Sequence, residues 1–392
     1  MELPDLSGQT VLVTGATSGV GRDGAVRLGG QGARVLVHGR DHERGAATVD
    51  AIEDAGGVAT FYPADFTDLD AVRDLADTVR EETDGLDVLC NNAGVYTTYR
   101  GRTEQGFGMI FGVNHVAPFV LTHELADHLM ADARVVNTAS IAHRFADLDL
   151  GMVRRKRGLT GPAFERYCES KLCNVLFTRE LARRLGPAST NCFHPGNIPG
   201  SNFAREIPFP LSLGVDALSA LPSIPGLTDT VADGGRALVR LAAAEDIAGV
   251  TGEYFDKRAL ADPARSAKNG TLARDLWDLT AELVGISPEL PSGPATRETN
   301  SDGRASRGVR IDVTEVGSDR ESAEAAAAAE NGTDEADLTT LDGVGPATAE
   351  ALRAAGFDSV AAVRAASAEE LTTTDGVGPA RARRIKDSAE GA

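Results

Sequence analysis

Seven short apolar runs punctuate the first two-thirds of the chain, and they constrain its fold more than any other feature. They are "TVLVTG" (10–15), "ARVLVHG" (33–39), "ATFYPAD" (59–65), "LDVLCNNAG" (86–94), "ARVVNTAS" (133–140), "TNCFHPG" (190–196) and "TGEYFD" (251–256). Between most of them lies an amphipathic stretch such as "DAVRDLADTVREE". Strands that are apolar almost without interruption must be buried on both faces, and helices between them supply the cover. The pattern predicts an α/β domain built on a doubly wound, parallel, seven-stranded sheet.

The first run leads straight into "TGATSGVG", with glycines at Gly15, Gly19 and Gly21. A glycine-rich turn between a first strand and a first helix lets the backbone approach a pyrophosphate, and the helix start offers free N–H groups. This is the sign of a Rossmann-type dinucleotide site. The helix that follows is intrinsically poor, because Gly24, Gly29 and Gly30 each cost up to ~1 kcal/mol relative to Ala. The second strand ends "VLVHGRDH", with Gly39 where a free ribose 2′-hydroxyl would favour an acidic residue. Arg40 follows and can pair with a 2′-phosphate, which favours NADP(H) over NAD(H), although Asp41 stands beside it. Arg22 is a second candidate for that role; either arginine also reads as plain surface charge.

"TGATSGVG" (14–21), "NNAG" (91–94), Asn114, "NTAS" ending in Ser140, "YCESK" (167–171) and "HPG" (194–196) follow one another in a characteristic order. In this the chain resembles the short-chain dehydrogenases/reductases, in their retinol-dehydrogenase-like branch, over about residues 7–285. The resemblance implies cofactor contacts from Gly15, Thr17, Ser18, Gly19, Val20, Gly21, Arg40, Asp65, Phe66, Asn92, Ala93, Gly94, Lys171, Pro195, Gly196 and Ile198. Asp65 would touch the adenine, its alternative being an ordinary turn aspartate. Asn91 would lie along the cofactor or brace the sheet. After "HPG" the family places a threonine where this chain has Gly200, with Ser201 as a substitute. The resemblance also puts the apolar, proline-rich stretch 197–226 over the substrate as a lid. That points to a lipophilic alcohol or carbonyl substrate; a core-packing or dimer-contact loop is the alternative.

"ERYCESKLCN" (165–174) holds Tyr167 and Lys171 four residues apart, on one helix face. Alone, such a pair is an ordinary solvated face. In a chain that offers a nicotinamide cofactor it becomes acid–base machinery, since a developing alkoxide needs a proton. A free tyrosine, with a pKa of ~10, is a poor base at neutral pH, and a lysine ammonium one turn away, together with the cofactor's positive ring, favours its phenolate and lowers that pKa. Tyr167 is therefore the expected proton donor and acceptor. Lys171 tunes it and holds the nicotinamide ribose, and Ser140 bonds the substrate oxygen. The resemblance implies that Asn114 anchors a water linking Lys171 to solvent. Glu165, Arg166 and Glu169 read as solvated charges.

Beyond "LWDLTAELVGI" the character changes. Residues 286–335 read as a disordered acidic linker, with a short strand at "VRIDVTEV" (309–316). An internal repeat follows: "DGVGPATAEALR" begins at Asp342 and "DGVGPARARRIK" at Asp375. The two "GVGP" turns resemble helix-hairpin-helix motifs, giving a small all-α domain over 336–392 after the 1–285 oxidoreductase domain. Such turns can hold a nucleic-acid phosphate. Yet residues 336–392 carry nine acidic and six basic groups, and only Arg381, Arg383, Arg384 and Lys386 form a basic cluster. Weak DNA contact and protein docking are both open, as is homo-oligomerisation.

The charge balance bears on the setting. Asp and Glu number 58 against 39 Lys and Arg, a net charge of -19, and only five of the basic residues are lysine. An acidic, lysine-poor chain suits a high-salt, halophilic cytosol, the alternative being a merely acidic mesophile. It also argues against broad attraction to nucleic acid or anionic membrane. Cys90, Cys168, Cys173 and Cys192 form no metal-ligand pattern and fit a reducing compartment. The start of the chain lacks a signal pattern and no run reaches the ~18 apolar residues of a membrane span, so the expectation is cytoplasmic. The sequence thus reads as an NADP(H)-dependent oxidoreductase. The rivals are a non-catalytic NADP-binding regulator tethered to DNA or protein, against which the complete Asn114, Ser140, Tyr167, Lys171 set counts, and a DNA-binding protein.

Overall fold

The seven apolar runs become neighbours in one sheet. In the computed structural model the strands are β1 (Thr10–Val13), β2 (Arg34–Gly39), β3 (Val58–Pro63), β4 (Leu86–Asn91), β5 (Leu129–Thr138), β6 (Ser189–His194), β7 (Tyr254–Asp256) and β8 (Ala259–Ala261). Their spatial order is β3-β2-β1-β4-β5-β6-β7-β8, all parallel except the β7–β8 pair. The eighth strand corrects the expected count of seven. It is three residues long, joined to β7 through Lys257 at φ 57°, and too short to carry a pattern. The structure describes residues 4–198 and 229–291 and, further on, 338, 341, 344, 346–374, 377, 382–383, 385–386 and 388–389. The expected lid, with Gly200 and Ser201, and the strand at 309–316 lie outside the described residues.

Each strand feeds two cores because its side chains alternate. Leu12, Leu36 and Leu89 face one side of the sheet. Val11, Val13, Val35, Val37, Val88 and Cys90 face the other. On the first side pack α3 (Leu69–Glu82), α5 (Ala117–Glu124), α7 (Ala163–Arg184) and α9 (Gly270–Val284). On the second pack α1 (Gly19–Gly29), α2 (His42–Asp54) and α8 (Val231–Ala243). The glycines that weaken α1 are explained here by close approach. A Cβ at Gly24 would lie 2.9 Å from Leu238 Cδ2 on α8, and one at Gly29 would lie 2.4 Å from Ile52 Cγ2 on α2. Two short helices, α4 (Met109–Phe111) and α6 (Leu150–Lys156), complete the set, and α4 runs into a π-helical turn, Gly112–Val116, before α5.

The chain divides into two compact units, Met1–Thr296 and Arg297–Ala392. Packing of the first continues past residue 285. Ile286 and Leu290 join its core, Trp277 Nε1 donates to the Pro288 carbonyl at 2.8 Å, and His123 Nε2 lies 3.0 Å from the Ser287 carbonyl. The second unit has a core of its own around Leu352, Val363, Leu371 and Ile385. Its helices are α10 (Pro346–Ala354), α11 (Val360–Ala365) and α12 (Ala368–Leu371). Ser359 caps α11 by accepting from the Ala362 amide, and Arg364 Nε donates to the Ala389 carbonyl at 2.6 Å. All four cysteines are free and buried. Among the described residues no helix is long and apolar enough to cross a membrane, and no cluster of His, Cys, Asp or Glu could hold a metal ion.

Candidate active site

The strand order reverses between β1, with β2 on one side, and β4 on the other, so a crevice opens over their carboxyl ends. A cleft of about 930 Å³ occupies that position. Its floor is the turn between β1 and α1. Gly15 adopts φ +64°, and a Cβ there would lie 2.8 Å from Ala93 Cα. Gly19 also has a positive φ, +56°, with nothing within 4 Å of the place a Cβ would take. The backbone at Gly19 is therefore open to a ligand, beside the start of α1.

The "NNAG" stretch braces this turn. Thr14 Oγ1 accepts from the Asn92 amide (2.9 Å) and the Ala93 amide (3.0 Å), and Asn92 Nδ2 donates to the Thr14 carbonyl at 3.0 Å. Asn91 points instead into the sheet. Its Nδ2 donates to Thr122 Oγ1 (2.9 Å) and Asn137 Oδ1 (3.0 Å), so of its two readings the sheet-bracing one fits the geometry.

At the β2 end the cleft is lined by Gly39, Arg40, Asp41, Arg44, Ala64, Asp65, Phe66 and Thr67. A Cβ on Gly39 would fall 2.3 Å from Thr17 Cγ2, so no acidic side chain fits at that strand end without moving Thr17. Arg40 lies 3.5 Å from Asp65, with both side chains well exposed. Asp41 caps α2 by accepting from the Arg44 amide at 3.0 Å. Arg44, which sequence reasoning passed over, reaches the cleft, whereas Arg22 turns toward the Ala47 carbonyl (3.4 Å) and does not line it.

At the other end stand Tyr167 and Lys171 on α7. Lys171 is only 5% exposed; its Nζ donates to the Thr138 carbonyl at 2.9 Å and lies 5.6 Å from the centre of the Tyr167 ring. Burial pulls its pKa down to about 8. Tyr167 shares a hydrogen bond with Ser140, but burial outweighs it and the phenol pKa moves up. The sequence expectation, a pKa lowered by the Lys171 ammonium together with the cofactor's positive ring, concerns the cofactor-bound site; in the protein by itself desolvation of the phenolate dominates. Ser140 ends β5's extension and caps the following turn by accepting from the Ala142 amide at 3.2 Å. His143 Nδ1 lies 2.6 Å from the Ser140 carbonyl and its Nε2 accepts from the Ala264 amide at 2.9 Å, which ties this corner to the segment after β8.

Asn114 sits in the π-helical turn, and its side chain is taken up by protein. Oδ1 accepts from the Val95 amide (2.7 Å), and Nδ2 donates to the Val95 carbonyl (2.9 Å) and Ser170 Oγ (3.1 Å). A Cβ on Gly94 would stand 3.3 Å from Asn114 Oδ1 and 3.7 Å from Lys171 Nζ, so Gly94 leaves open the corner where these groups meet.

Of the sequence candidates, Gly15, Thr17, Ser18, Val20, Gly21, Arg40, Asp65, Phe66, Asn92, Ala93, Gly94, Tyr167 and Lys171 line the one cleft. Gly19, Asn114, Ser140, Pro195, Gly196 and Ile198 are not among its lining residues. Pro195, Ile198 and Val20 converge instead on Gly234 of α8, and Gly196, at φ +108°, packs against Asp229. The cleft also takes in Thr138 of "NTAS", which was given no role, and His38, Val95, Tyr96, Met109 and Val113, which no motif announced. Tyr96 meets the Tyr167 ring edge-on at 5.6 Å.

Two neighbours of Tyr167 are not solvated charges. Arg166 is 6% exposed; its guanidinium reaches toward the Thr97 carbonyl (3.4 Å), and its Nε has no partner. Glu169 is half-buried, and burial with Glu165 and Asp147 nearby raises its pKa to about 7. The burial of Arg166 follows from the loop after β4 folding over α7, a long-range contact.

A family model for short chain dehydrogenases matches residues 9–208, and one for SAM-like helix-hairpin-helix tandems matches residues 335–390. Human retinol dehydrogenase 13 is 35% identical over 315 residues, covering 74% of this chain and 89% of that protein. Human dehydrogenase/reductase SDR family member 13 is 33% identical over 307 residues, 77% of this chain and 80% of that one. Among solved structures, a short chain dehydrogenase from Burkholderia cenocepacia in complex with NADP is 28% identical with a TM-score of 0.52, covering 65% of this chain and 98% of that one.

Proposed function

Since the chain belongs to the short-chain dehydrogenase/reductase family, in its retinol-dehydrogenase-like branch, and ends in a helix-hairpin-helix tandem, we propose that its first unit moves a hydride between NADP(H) and a lipophilic alcohol or carbonyl compound. The observation that carries this is that Lys171 and Tyr167, the latter hydrogen-bonded to Ser140, line one end of a cleft whose floor is a glycine turn and whose other end holds Arg40 and Arg44.

The residues fit a dinucleotide. Gly19 leaves open backbone at the start of α1, Gly94 leaves the corner beside Lys171 clear, and Arg40 and Arg44 offer cations where a 2′-phosphate belongs. The crowding of Gly39 by Thr17 counts against an acidic side chain selecting NAD(H). When bound, the nicotinamide supplies or takes up the hydride and, oxidised, adds a positive charge near the phenol.

The protein's own part is the proton. In the reducing direction Tyr167 Oη gives its proton to the substrate oxygen as that atom gains charge, and in the oxidising direction it takes the proton back. Ser140 donates to the same oxygen and holds it against the phenol. Lys171, buried and charged below about pH 8, favours the phenolate and presents Nζ to the ribose hydroxyls. Asn114 fixes Val95 and Ser170 around Lys171; the water that the resemblance assigns to it remains part of this proposal. Val95, Tyr96, Met109 and Val113 give the reacting end an apolar wall, which supports a lipophilic substrate.

The net charge of -19 and the five lysines support a protein at home in high salt. For residues 336–392 the excess of acidic groups supports a protein contact over a DNA contact, and Lys386 already bonds the Arg364 carbonyl. The test is direct. Purified protein is given NADPH or NADH with a panel of ketones and aldehydes, or NADP+ or NAD+ with the matching alcohols, and the nicotinamide absorbance is followed. Turnover of apolar carbonyls with NADPH is expected; no turnover of any panel member with either cofactor would overturn the reading.

A further inference from the structure

His38 is 2% exposed, lies one residue before the glycine that ends β2, and lines the cleft. It stands in "VLVHGRDH" beside Gly39 and Arg40 but has no role in the site as described so far. Its ring is held on three sides. The Gly15 amide donates to Nδ1 at 3.3 Å. That bond leaves the proton on Nε2, which donates to the Ala64 carbonyl at 3.1 Å. The ring face stacks on Phe66, 4.4 Å between centroids and 22° from parallel. Gly15 belongs to the turn after β1, and Ala64 and Phe66 to the loop after β3. One neutral imidazole therefore joins the two loops between which an adenosine diphosphate would lie.

We propose that His38 is a positioning residue for the dinucleotide, tying the glycine turn to the adenine side of the cleft through a single neutral ring. The inference rests on the cofactor reading above. The Gly15 amide lies in a turn at φ +64°, between β1 and α1, and His38 Nδ1 is the acceptor it meets there. The Phe66 ring, in turn, has a flat partner beneath it. Loss of the ring removes one side-chain tie from each loop, leaving the backbone bonds from the Ala16 amide to the His38 carbonyl and from the Ala64 amide to the Gly39 carbonyl, and bound nucleotide must then order what has loosened at its own expense. An imidazole also meets both geometric demands at once, accepting on one nitrogen and donating on the other.

The two bonds can be separated by substitution. His38→Asn keeps an acceptor at the Nδ1 position, and His38→Phe keeps the stack but neither bond. NADP and NAD affinities are measured by nucleotide titration with the full chain, alongside Tm and steady-state kinetics. The proposal expects His38→Phe to weaken both cofactors together, by about tenfold, with KM for the cofactor rising and kcat holding within about twofold. His38→Asn, which keeps the bond to the Gly15 amide but loses the stack and the link to the Ala64 carbonyl, is expected to recover part of the affinity. A His38→Phe protein that keeps full affinity, or one whose Tm falls while cofactor binding stays unchanged, overturns the proposal and leaves His38 a core residue. An unmodified protein that binds neither cofactor overturns the cofactor reading itself, and this inference with it.

Discussion

At the α7 end of the cleft, Lys171 is 5% exposed and the Tyr167 phenol is desolvated enough to move its pKa upward. At the β2 end, the Arg40 side chain is 65% exposed and its partner Asp65 46%. On the proposed function, the two ends meet different demands. Proton transfer needs a dry site, where a nearby charge acts with little screening. Selection of a phosphate needs cations that can wait in solvent, where an exposed ion pair is worth only ~0–1 kcal/mol and is readily exchanged. Arg40 can leave Asp65 for a better anion; Lys171, boxed in by Thr138, has nowhere to go.

Several changes would break or sharpen that contrast, and Tyr167→Phe should have the largest effect. It removes one hydroxyl from the dry end, so turnover should fall by ~10³-fold with cofactor affinity nearly intact. Steady-state rates set against a nucleotide titration would show this, and activity above a few per cent would return Tyr167 to the status of a helix-face residue. Lys171→Met comes next, with a loss of ~10²-fold in kcat/KM. Because burial has already lowered this lysine's pKa to about 8, replacing it should leave Tm unchanged or raised. A clear drop in Tm would mean that the ammonium stabilises the fold.

The wet end should respond more mildly. Arg40→Asp should weaken NADP binding by ~10-fold and reverse the preference toward NAD, read from paired titrations. In the unmodified protein the NADP advantage should shrink between low and molar salt, because exposed charges are screened. Equal affinity for the two cofactors at low salt would remove the case for Arg40 as selector.

The smallest effect is acid sensitivity. Burial lowers the pKa of His38 and of His194 to about 4, and that of His115 to about 3. Each is depressed below its unfolded value of 6.5, so the unfolded chain binds more protons in the interval between. Their contribution to stability is complete above pH 6.5 and is lost as pH falls toward 4 and then 3. Thermal melts from neutral to mildly acidic pH should show Tm declining by a few degrees, with a shallower slope in His115→Gln. An unchanged slope in that variant would remove His115 as a contributor.

Much of this architecture was legible beforehand. The strands announce themselves because a residue buried between two helical layers must be apolar at every position, not at alternate ones. The glycine turn and the Tyr167–Lys171 pair were legible because each depends on neighbours within a few residues. The eighth strand was not, since three residues in a hairpin carry no period. Arg166 was misread for a related reason: its burial comes from the loop bearing Thr97 and Tyr99, far away along the chain.

By itself, then, the sequence determined whatever a short stretch of backbone can enforce: strand and helix periods, the open glycine at position 19, and a tyrosine and lysine on one face of α7. Tertiary structure decided the environments. It set Asn91 against Asn137 across two strands, gave Arg40 its partner in Asp65, and closed Asn114 onto Val95. It brought His38 between two loops, and through burial it fixed the sign of the shift at Tyr167. Desolvation and through-space pairing depend on which residues the fold makes neighbours, and spacing along the chain does not encode that.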